Sequence, residues 1–308
     1  MNRPFGPSAA RNAGGALRAA SRVATALAVL AGVPGFAFAA GPLGIGVEAS
    51  YMTDDNVTRA KGSGDALSDA ALGVRITKGL PVPVSEHTRA IFQGFAGTEK
   101  FHTYTGLSHN FFGAQGEFQY RASGEFGAPT YAAFVRSALD AYESNLRDGY
   151  RHAFGVTVLK PATDRIQLSG AFIGNIGDGR SAVFDTRSVS VRANADWSLG
   201  RWDVVYLGAE YRRGDSVSTA RPTLAVTDTA DAIVQDDAFH DAQRFAYRYK
   251  AGNWLTTLGY NHAFGEGRSL DLSWRWVQST PLNPAASASA SELSYVVNQF
   301  SIAYLARF

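Results

Sequence analysis

The 308-residue chain carries a net charge of only +2, and 45% of its residues are hydrophobic and 12% aromatic. It contains no cysteine, which excludes a disulfide framework, a cysteine metal site and a thiol nucleophile. Beyond residue 39 no apolar run reaches the roughly 18 residues that a transmembrane helix needs, so the sequence excludes such a helix.

The first 39 residues have the three regions of a secretory signal peptide. A basic segment without acidic residues precedes an apolar run over 23–33, and the small-residue site Ala37-Phe38-Ala39 follows. The segment supplies four arginines, so its removal changes the net charge from +2 to −2. We therefore predict a cleaved signal peptide at 1–39 and one exported domain at 40–308.

The exported domain alternates apolar and polar residues, which is the period of a β-strand. In the window 269–276, two leucines and two tryptophans fall on one face, and Ser, Asp, Ser and Arg fall on the other. The window 188–197 sorts its side chains in the same way. Because successive side chains of a strand point to opposite faces, each strand has one apolar and one polar face.

Twelve such strands can be placed along the exported domain, and an even number returns both chain ends to the same side of a barrel. The segments 88–109 and 241–254 are hard to divide, which leaves about 10 or 14 strands as alternatives. The predicted strands cover 43–52, 69–78, 88–104, 109–123, 130–144, 150–159, 165–177, 185–198, 203–214, 243–264, 269–279 and 292–308.

Two architectures can accommodate strands with one apolar face. A soluble sandwich turns the apolar faces inward, whereas an outer-membrane barrel turns them outward to lipid. Most predicted strands are longer than the roughly five or six residues typical of soluble sheets. Their apolar faces end in rings such as Trp197, Trp276 and Tyr211, as interfacial girdles do. With the export signal, these features predict an all-β, transmembrane, antiparallel up-and-down β-barrel of about 12 strands.

The last nine residues end on a phenylalanine and place an apolar side chain at every second position. This pattern resembles the C-terminal assembly signal of the bacterial outer-membrane β-barrel (porin-like) superfamily. The resemblance implies that the barrel-assembly machinery and periplasmic chaperones recognise the chain, and that it resides in the outer membrane among lipids and lipopolysaccharide. The residues of this signal are Phe300, Ile302, Tyr304, Ala306 and Phe308.

Charged side chains on the polar strand faces are the candidates for lining the lumen. A twelve-stranded barrel is intermediate between a filled lumen of about eight strands and a wide channel of about sixteen. Basic and acidic residues are nearly balanced, which argues against strong ion selectivity and favours cross-strand pairs that brace the wall. The residues predicted to line the lumen are Arg75, Arg89, Arg121, Arg136, Arg192, Arg275, Glu117, Asp196 and Asp271.

The predicted loop 215–242 holds six aspartates and one arginine. The favoured interpretation is a solvated acidic loop, and the alternatives are an inward constriction or a site where oxygen atoms bind a divalent ion. The stretch 53–57 also clusters oxygen atoms, but it lacks the full spacing of a calcium loop. We therefore predict no metal site.

Together these features predict a narrow porin-like channel for small polar solutes, with no cofactor and no nucleic-acid partner. The stretch 51–57 resembles the start of porin-like barrels tied to polysaccharide export. A non-conducting accessory barrel in envelope polysaccharide or lipoprotein export is therefore the first alternative. The second is a rim-located lipid hydrolase, because Glu143 and His152 share outward parity and flank the short loop 145–149. No nucleophile accompanies this pair in the sequence, so an enzyme is not the favoured interpretation.

Overall fold

Twelve long antiparallel strands form a closed wall, and a short additional strand lies in one of the connections. The structure is a computed structural model, and it describes residues 44–62, 64–286 and 290–308. The predicted signal peptide at 1–39 lies outside the described residues. The prediction of an up-and-down β-barrel of about 12 strands is confirmed.

The strand bounds lie close to those predicted, except that the second strand continues to Pro83 and the ninth to Ala220. The strands on either side of residues 221–244 form a long hairpin that extends beyond its neighbours. Two short helices, α1 (Leu224–Thr229) and α2 (Ala290–Leu293), lie in connections. No helix among the described residues is long and apolar enough to cross a membrane. The strands are β1 (Ile45–Asp54), β2 (Asp69–Pro83), β3 (Thr88–Phe101), β4 (His109–Arg121), β5 (Thr130–Tyr142), β6 (Gly149–Pro161), β7 (Ile166–Gly179), β8 (Thr186–Ser198), β9 (Asp203–Ala220), β10 (Ala232–Gln235), β11 (Phe245–Ala263), β12 (Arg268–Pro281) and β13 (Tyr295–Arg307).

Closure joins the first and last strands of the chain. β13 pairs with β1 along the full length of β1, and β9 pairs directly with β11, so that β10 is not part of the wall. The amide of Phe308 donates to the carbonyl of Ile45 at 2.8 Å, and the amide of Ile45 donates back at 3.3 Å. The terminal phenylalanine is therefore tied into the sheet at the rim that holds both ends of the barrel, which we call the terminal end.

The wall turns its apolar face outward. On β2 and β5, Leu72 and Val135 are 63% and 65% exposed, whereas their neighbours Ala71 and Phe134 are 3% and 4% exposed. The same alternation runs along β13, where the side chains of the predicted assembly signal at 300, 302, 304 and 308 are all exposed. Large apolar groups on the outside of a closed wall are the arrangement that a hydrocarbon environment stabilises.

Connections at the two rims differ in length. At the terminal end, the turns after β2, β4, β6, β8 and β11 are short, and Gly is frequent in them. At the opposite rim, which we call the loop end, the connections after β1, β9 and β12 are much longer. The long connections are therefore grouped over one mouth of the barrel.

Candidate functional site in the lumen and at its mouth

One inner wall of the barrel carries a shared ion pair. Glu210 of β9 accepts hydrogen bonds from Arg192 of β8, with a distance of 2.8 Å to Nε, and from Arg212, with a distance of 2.8 Å to Nη2. The side chains of Arg192 and Glu210 are only 8% and 5% exposed. Arg275 of β12 interacts electrostatically with all three of these residues. Among the described residues it nevertheless forms no ion pair, and its Nε is buried without a partner.

Another wall, built from β2 to β6, carries a second group of arginines. Asp140 of β5 accepts hydrogen bonds from Nε and Nη2 of Arg151 on β6, the latter at 2.6 Å. The guanidinium groups of Arg75 and Arg136 lie over the ring of Phe95 instead, and within the described chain neither forms an ion pair. On each wall, therefore, pairing with carboxylates leaves some guanidinium groups without an anionic partner.

The two remaining predicted arginines lie at the terminal end. Nε of Arg89 donates to the amide oxygen of Gln119, and Nη2 of Arg121 donates to the backbone carbonyl of Glu125 at 2.9 Å. Each is thus held by a neutral acceptor. The solute contact predicted for the arginines stays a prediction.

The three predicted carboxylates do not form the expected bracing pairs with cations of the described chain. Asp271 is 1% exposed and accepts hydrogen bonds from the hydroxyl of Tyr206 at 2.9 Å and from Asn261 at 3.3 Å. Glu117 accepts from Gln115 and Gln119, which are also buried. Asp196 has a buried oxygen that finds no donor within the described chain. Of the predicted lumen residues, only Arg192 takes part in an ion pair among the residues described.

Residues 221–244, which connect the extended ends of β9 and β11, cross the mouth at the loop end, and we call them the lid. The connection between β3 and β4 lies diametrically opposite, because six strands separate the two connections in each direction around the wall. The lid nevertheless reaches it. A Cβ atom placed on Gly106 would lie 2.4 Å from Cα of Ala238, and the rings of Tyr104 and Phe239 lie 5.2 Å apart.

Acidic residues of the lid anchor it to the far side. Asp236 is 1% exposed, and its carboxylate accepts hydrogen bonds from Arg147 in the β5–β6 connection and from Thr219 at 2.6 Å. The neighbouring Asp237 accepts from the hydroxyl of Ser144 in the same connection. A buried carboxylate that accepts from two side chains, one of them a cation, is stabilised in place, so these contacts fix the position of the lid.

The remaining loop-end connections also brace the lid and its stem. Arg244 donates to the carbonyls of Gly64 and Asp65 in the β1–β2 connection, at 3.2 and 3.1 Å. Residues 182–184 contact β10, and the amide of Ala285 donates to the lid at 3.1 Å. An apolar cluster beside the mouth joins the lid and its stem to two further connections and consists of Ala60, Ala220, Val226, Tyr247, Tyr249, Ala251 and Leu293.

The expectation of a solvated acidic loop at 215–242 is therefore wrong. Residues 215–220 continue β9, and the acidic side chains at 236 and 237 bind partners in the β5–β6 connection. The apolar side chains of Val226, Ala238 and Phe239 are buried at 4%, 0% and 4% exposure. Of the alternatives, an inward constriction agrees with this arrangement. No group of three or more potential metal ligands occurs among the described residues.

Glu143 and His152, the two residues considered for a rim-located hydrolase, do not contact each other but bind other partners. Register places His152 of β6 opposite Ser137 of β5, well below the loop, and Nδ1 of His152 is hydrogen-bonded to the Ser137 hydroxyl on the outer face. Glu143 instead accepts a hydrogen bond from Lys100 at 2.8 Å. Ser144 faces the lid. Sequence parity gives the face of a strand, but it does not give the height of one residue relative to another.

Several charged residues of this site were not predicted. Arg151 alternates with the exposed Tyr150, Phe154 and Val156, so its inward direction was readable from the pattern of β6. Arg59 was not readable, because it lies in a connection and binds Asp54 across a tight turn at 2.7 Å. Burial would lower the pKa of the Arg59 guanidinium, but the adjacent Asp54 carboxylate outweighs burial and raises it. Arg59 and Asp54 thus form a fixed ion pair near the mouth.

No protein-family model and no curated protein matches the chain. Among solved structures, an outer-membrane channel from Pseudomonas putida F1 aligns over 87% of this chain and 97% of its own, with a TM-score of 0.53 and 12% identity. The fold is that of an outer-membrane β-barrel. The KdgM porin aligns over 85% of this chain and 99% of its own at 7% identity and a TM-score of 0.44. The NanC porin aligns over 86% and 100% at 10% identity and a TM-score of 0.44.

Proposed function

We propose that this outer-membrane barrel is a narrow channel for small polar solutes. The observation that carries the proposal is the contrast between the two faces of the wall. The outer face is apolar, while the inner face presents guanidinium groups of Arg75, Arg136 and Arg275 that form no ion pair with any described carboxylate. In a barrel wall that served only as a scaffold, unpaired inward charges would not stabilise the structure. Each of them costs free energy on burial unless water or a solute solvates it.

We assign different roles in the channel to the predicted lumen residues. Arg75, Arg136 and Arg275 are assigned to solute contact, and Arg89 and Arg121 to the entrance at the terminal end. Arg192, Glu117, Asp196 and Asp271 are assigned to the shape and polarity of the wall. In this proposal the barrel sits in the bacterial outer membrane, contacts lipid and lipopolysaccharide, and is inserted by the barrel-assembly machinery and periplasmic chaperones.

Planar-bilayer recording of the purified full chain tests the proposal. We expect discrete current steps in KCl, because a polar lumen admits hydrated ions, and larger steps when the lid is detached by Asp236→Asn. Heat-unfolded protein at the same concentration is the control. Folded protein that gives no current, with or without Asp236→Asn, would contradict a channel and favour the non-conducting accessory barrel in polysaccharide or lipoprotein export.

The rim-located lipid hydrolase has one observation in its favour, the hydrogen bond between Ser137 and His152 on the outer face. Among the described residues no carboxylate is hydrogen-bonded to His152, so the group that would orient it as a base is missing. Fatty-acid release from phospholipid vesicles that disappears in both His152→Ala and Ser137→Ala would support the hydrolase. Release at the background rate of empty vesicles would reject it.

A further inference from the structure

Two arginines of the lumen converge on one aromatic ring. The guanidinium carbon of Arg75 lies 4.9 Å from the ring centroid of Phe95, and that of Arg136 lies 4.4 Å from the same centroid. Arg75 comes from β2 and Arg136 from β5, so they approach Phe95 of β3 from opposite sides. The ring is 5% exposed, which makes it a fixed platform. Attraction between a cation and a ring face holds each guanidinium there.

The backbone makes room for this platform. Phe95 lies directly opposite Gly113 in the register of β3 and β4. A Cβ atom on residue 113 would lie 2.5 Å from Cζ of Phe95, so only glycine lets the ring lie against the wall at this point. The position of the two guanidinium groups therefore depends on a specific pair of residues in the wall beneath them.

Neither guanidinium has a counterion in the protein. Within the described chain, no ion pair or hydrogen bond engages the side chain of Arg75 or Arg136, and Nε of Arg75 is buried without a partner. Glu48 lies opposite Arg75 in the register of β1 and β2 and attracts it, but no ion pair forms. The charges of Arg75 and Arg151 both act on Arg136, which raises the cost of holding these cations together.

We propose that Arg75, Arg136 and Phe95 form a clamp that binds the oxyanion group, carboxylate or phosphate, of a solute in the lumen. The proposal rests on the channel function and specifies its solutes as anionic. Two planar guanidinium groups with free N–H donors match the paired oxygens of a carboxylate or phosphate, and such charge-assisted bonds are strong. The near balance of charges in the sequence does not show this site, because the carboxylates of Asp140, Glu210, Glu117 and Asp271 are hydrogen-bonded to other residues.

Equilibrium binding tests the clamp without requiring current. Sodium phosphate and sodium gluconate are titrated calorimetrically into the detergent-solubilised full chain, with glucose as the uncharged probe. We expect the wild type to bind at least one of the two anions and not glucose. Arg75→Gln/Arg136→Gln should lower that affinity at least about tenfold, the loss expected from removing charged donors. The matched control is Arg165→Gln/Arg268→Gln, which removes the same charge from exposed sites.

Further measurements separate the possible outcomes. The reversal potential in a KCl gradient should indicate anion preference in the wild type and shift toward zero in Arg75→Gln/Arg136→Gln. Phe95→Leu keeps an apolar side chain but removes the ring face, and should weaken anion binding while the barrel still migrates as folded. Binding that equals the wild type in the clamp variant would overturn the clamp even if the barrel conducts. Anion binding that depends on the clamp in a barrel without current would support the clamp and reject the channel.

Discussion

Glu210 holds two arginines in place at once, because Arg192 and Arg212 donate to different oxygens of its carboxylate. Such a triad places two cations and one anion on neighbouring strands of the inner wall. Burial removes most of the hydration of Arg192 and Glu210, so their mutual attraction must replace it. The local charge of this group is nevertheless positive, and Arg275 adds to it.

Replacement of Glu210 should therefore cost far more stability than replacement of an exposed carboxylate. We expect Glu210→Gln to lower the free energy of unfolding by about 3 kcal/mol, because it leaves buried guanidinium groups uncompensated. Urea unfolding in lipid vesicles, followed by tryptophan fluorescence, measures the change. Glu143→Gln is the matched control, since its pair with Lys100 is about half exposed and should contribute less than about 1 kcal/mol. Equal losses in the two variants would contradict a stabilising triad.

At the scale of elements, the strands were the predictable part of this molecule. The alternation in 188–197 and 269–276 indicates which face meets an apolar environment. In the structure each window is part of a wall strand, and its apolar face points outward. The lid was not predictable, because its partners Arg147 and Gly106 lie on the opposite side of the mouth and share no periodic pattern with it. Asp236, which the sequence pattern places in a solvated loop, is buried here and binds Arg147 of another connection.

The carboxylate of Asp236 is the main anchor of the lid, and its loss should detach residues 221–244. We expect Asp236→Asn to make trypsin cleavage after Arg244, at the end of the lid, faster, because a neutral amide leaves Arg147 without its anion. Gel analysis of timed digests measures the rate. Asp231→Asn makes the same acid-to-amide change at an exposed side chain of the lid and should leave cleavage unchanged. Unchanged cleavage in Asp236→Asn would contradict the anchor.

Close approach of two backbones is a second requirement for the seated lid. Gly106→Ala should unseat the lid, because the new methyl group would lie 2.4 Å from Cα of Ala238. The expected result is a larger single-channel current than the wild type in planar bilayers. Gly124→Ala is the control, since nothing lies within 4 Å of a Cβ atom there. A current equal to the wild type in Gly106→Ala, together with unchanged trypsin resistance, would show that the contact is not limiting.

For the whole molecule, closure depends on the seam between β13 and β1. The backbone bonds between Phe308 and Ile45 end this seam at the terminal end, and the resemblance to an assembly signal predicts that the same ring is recognised during insertion. We expect Phe308→Ser to reduce the folded fraction in outer-membrane extracts, measured by the heat-dependent shift in gel mobility. Phe264→Ser, an exposed ring outside the last strand, should leave that fraction unchanged. A normal folded fraction in Phe308→Ser would contradict the signal.

The lid meets every other connection at the loop end, either directly or through its stem, and this has a consequence for how the mouth would open. Partial displacement would break the contacts with the β1–β2 and β12–β13 connections while the Asp236 and Asp237 anchors still hold the segment in place. Because these contacts support one another, a partly displaced lid would lose several of them without opening a path for solutes. We expect transitions between the shut and conducting forms to be abrupt and all-or-none.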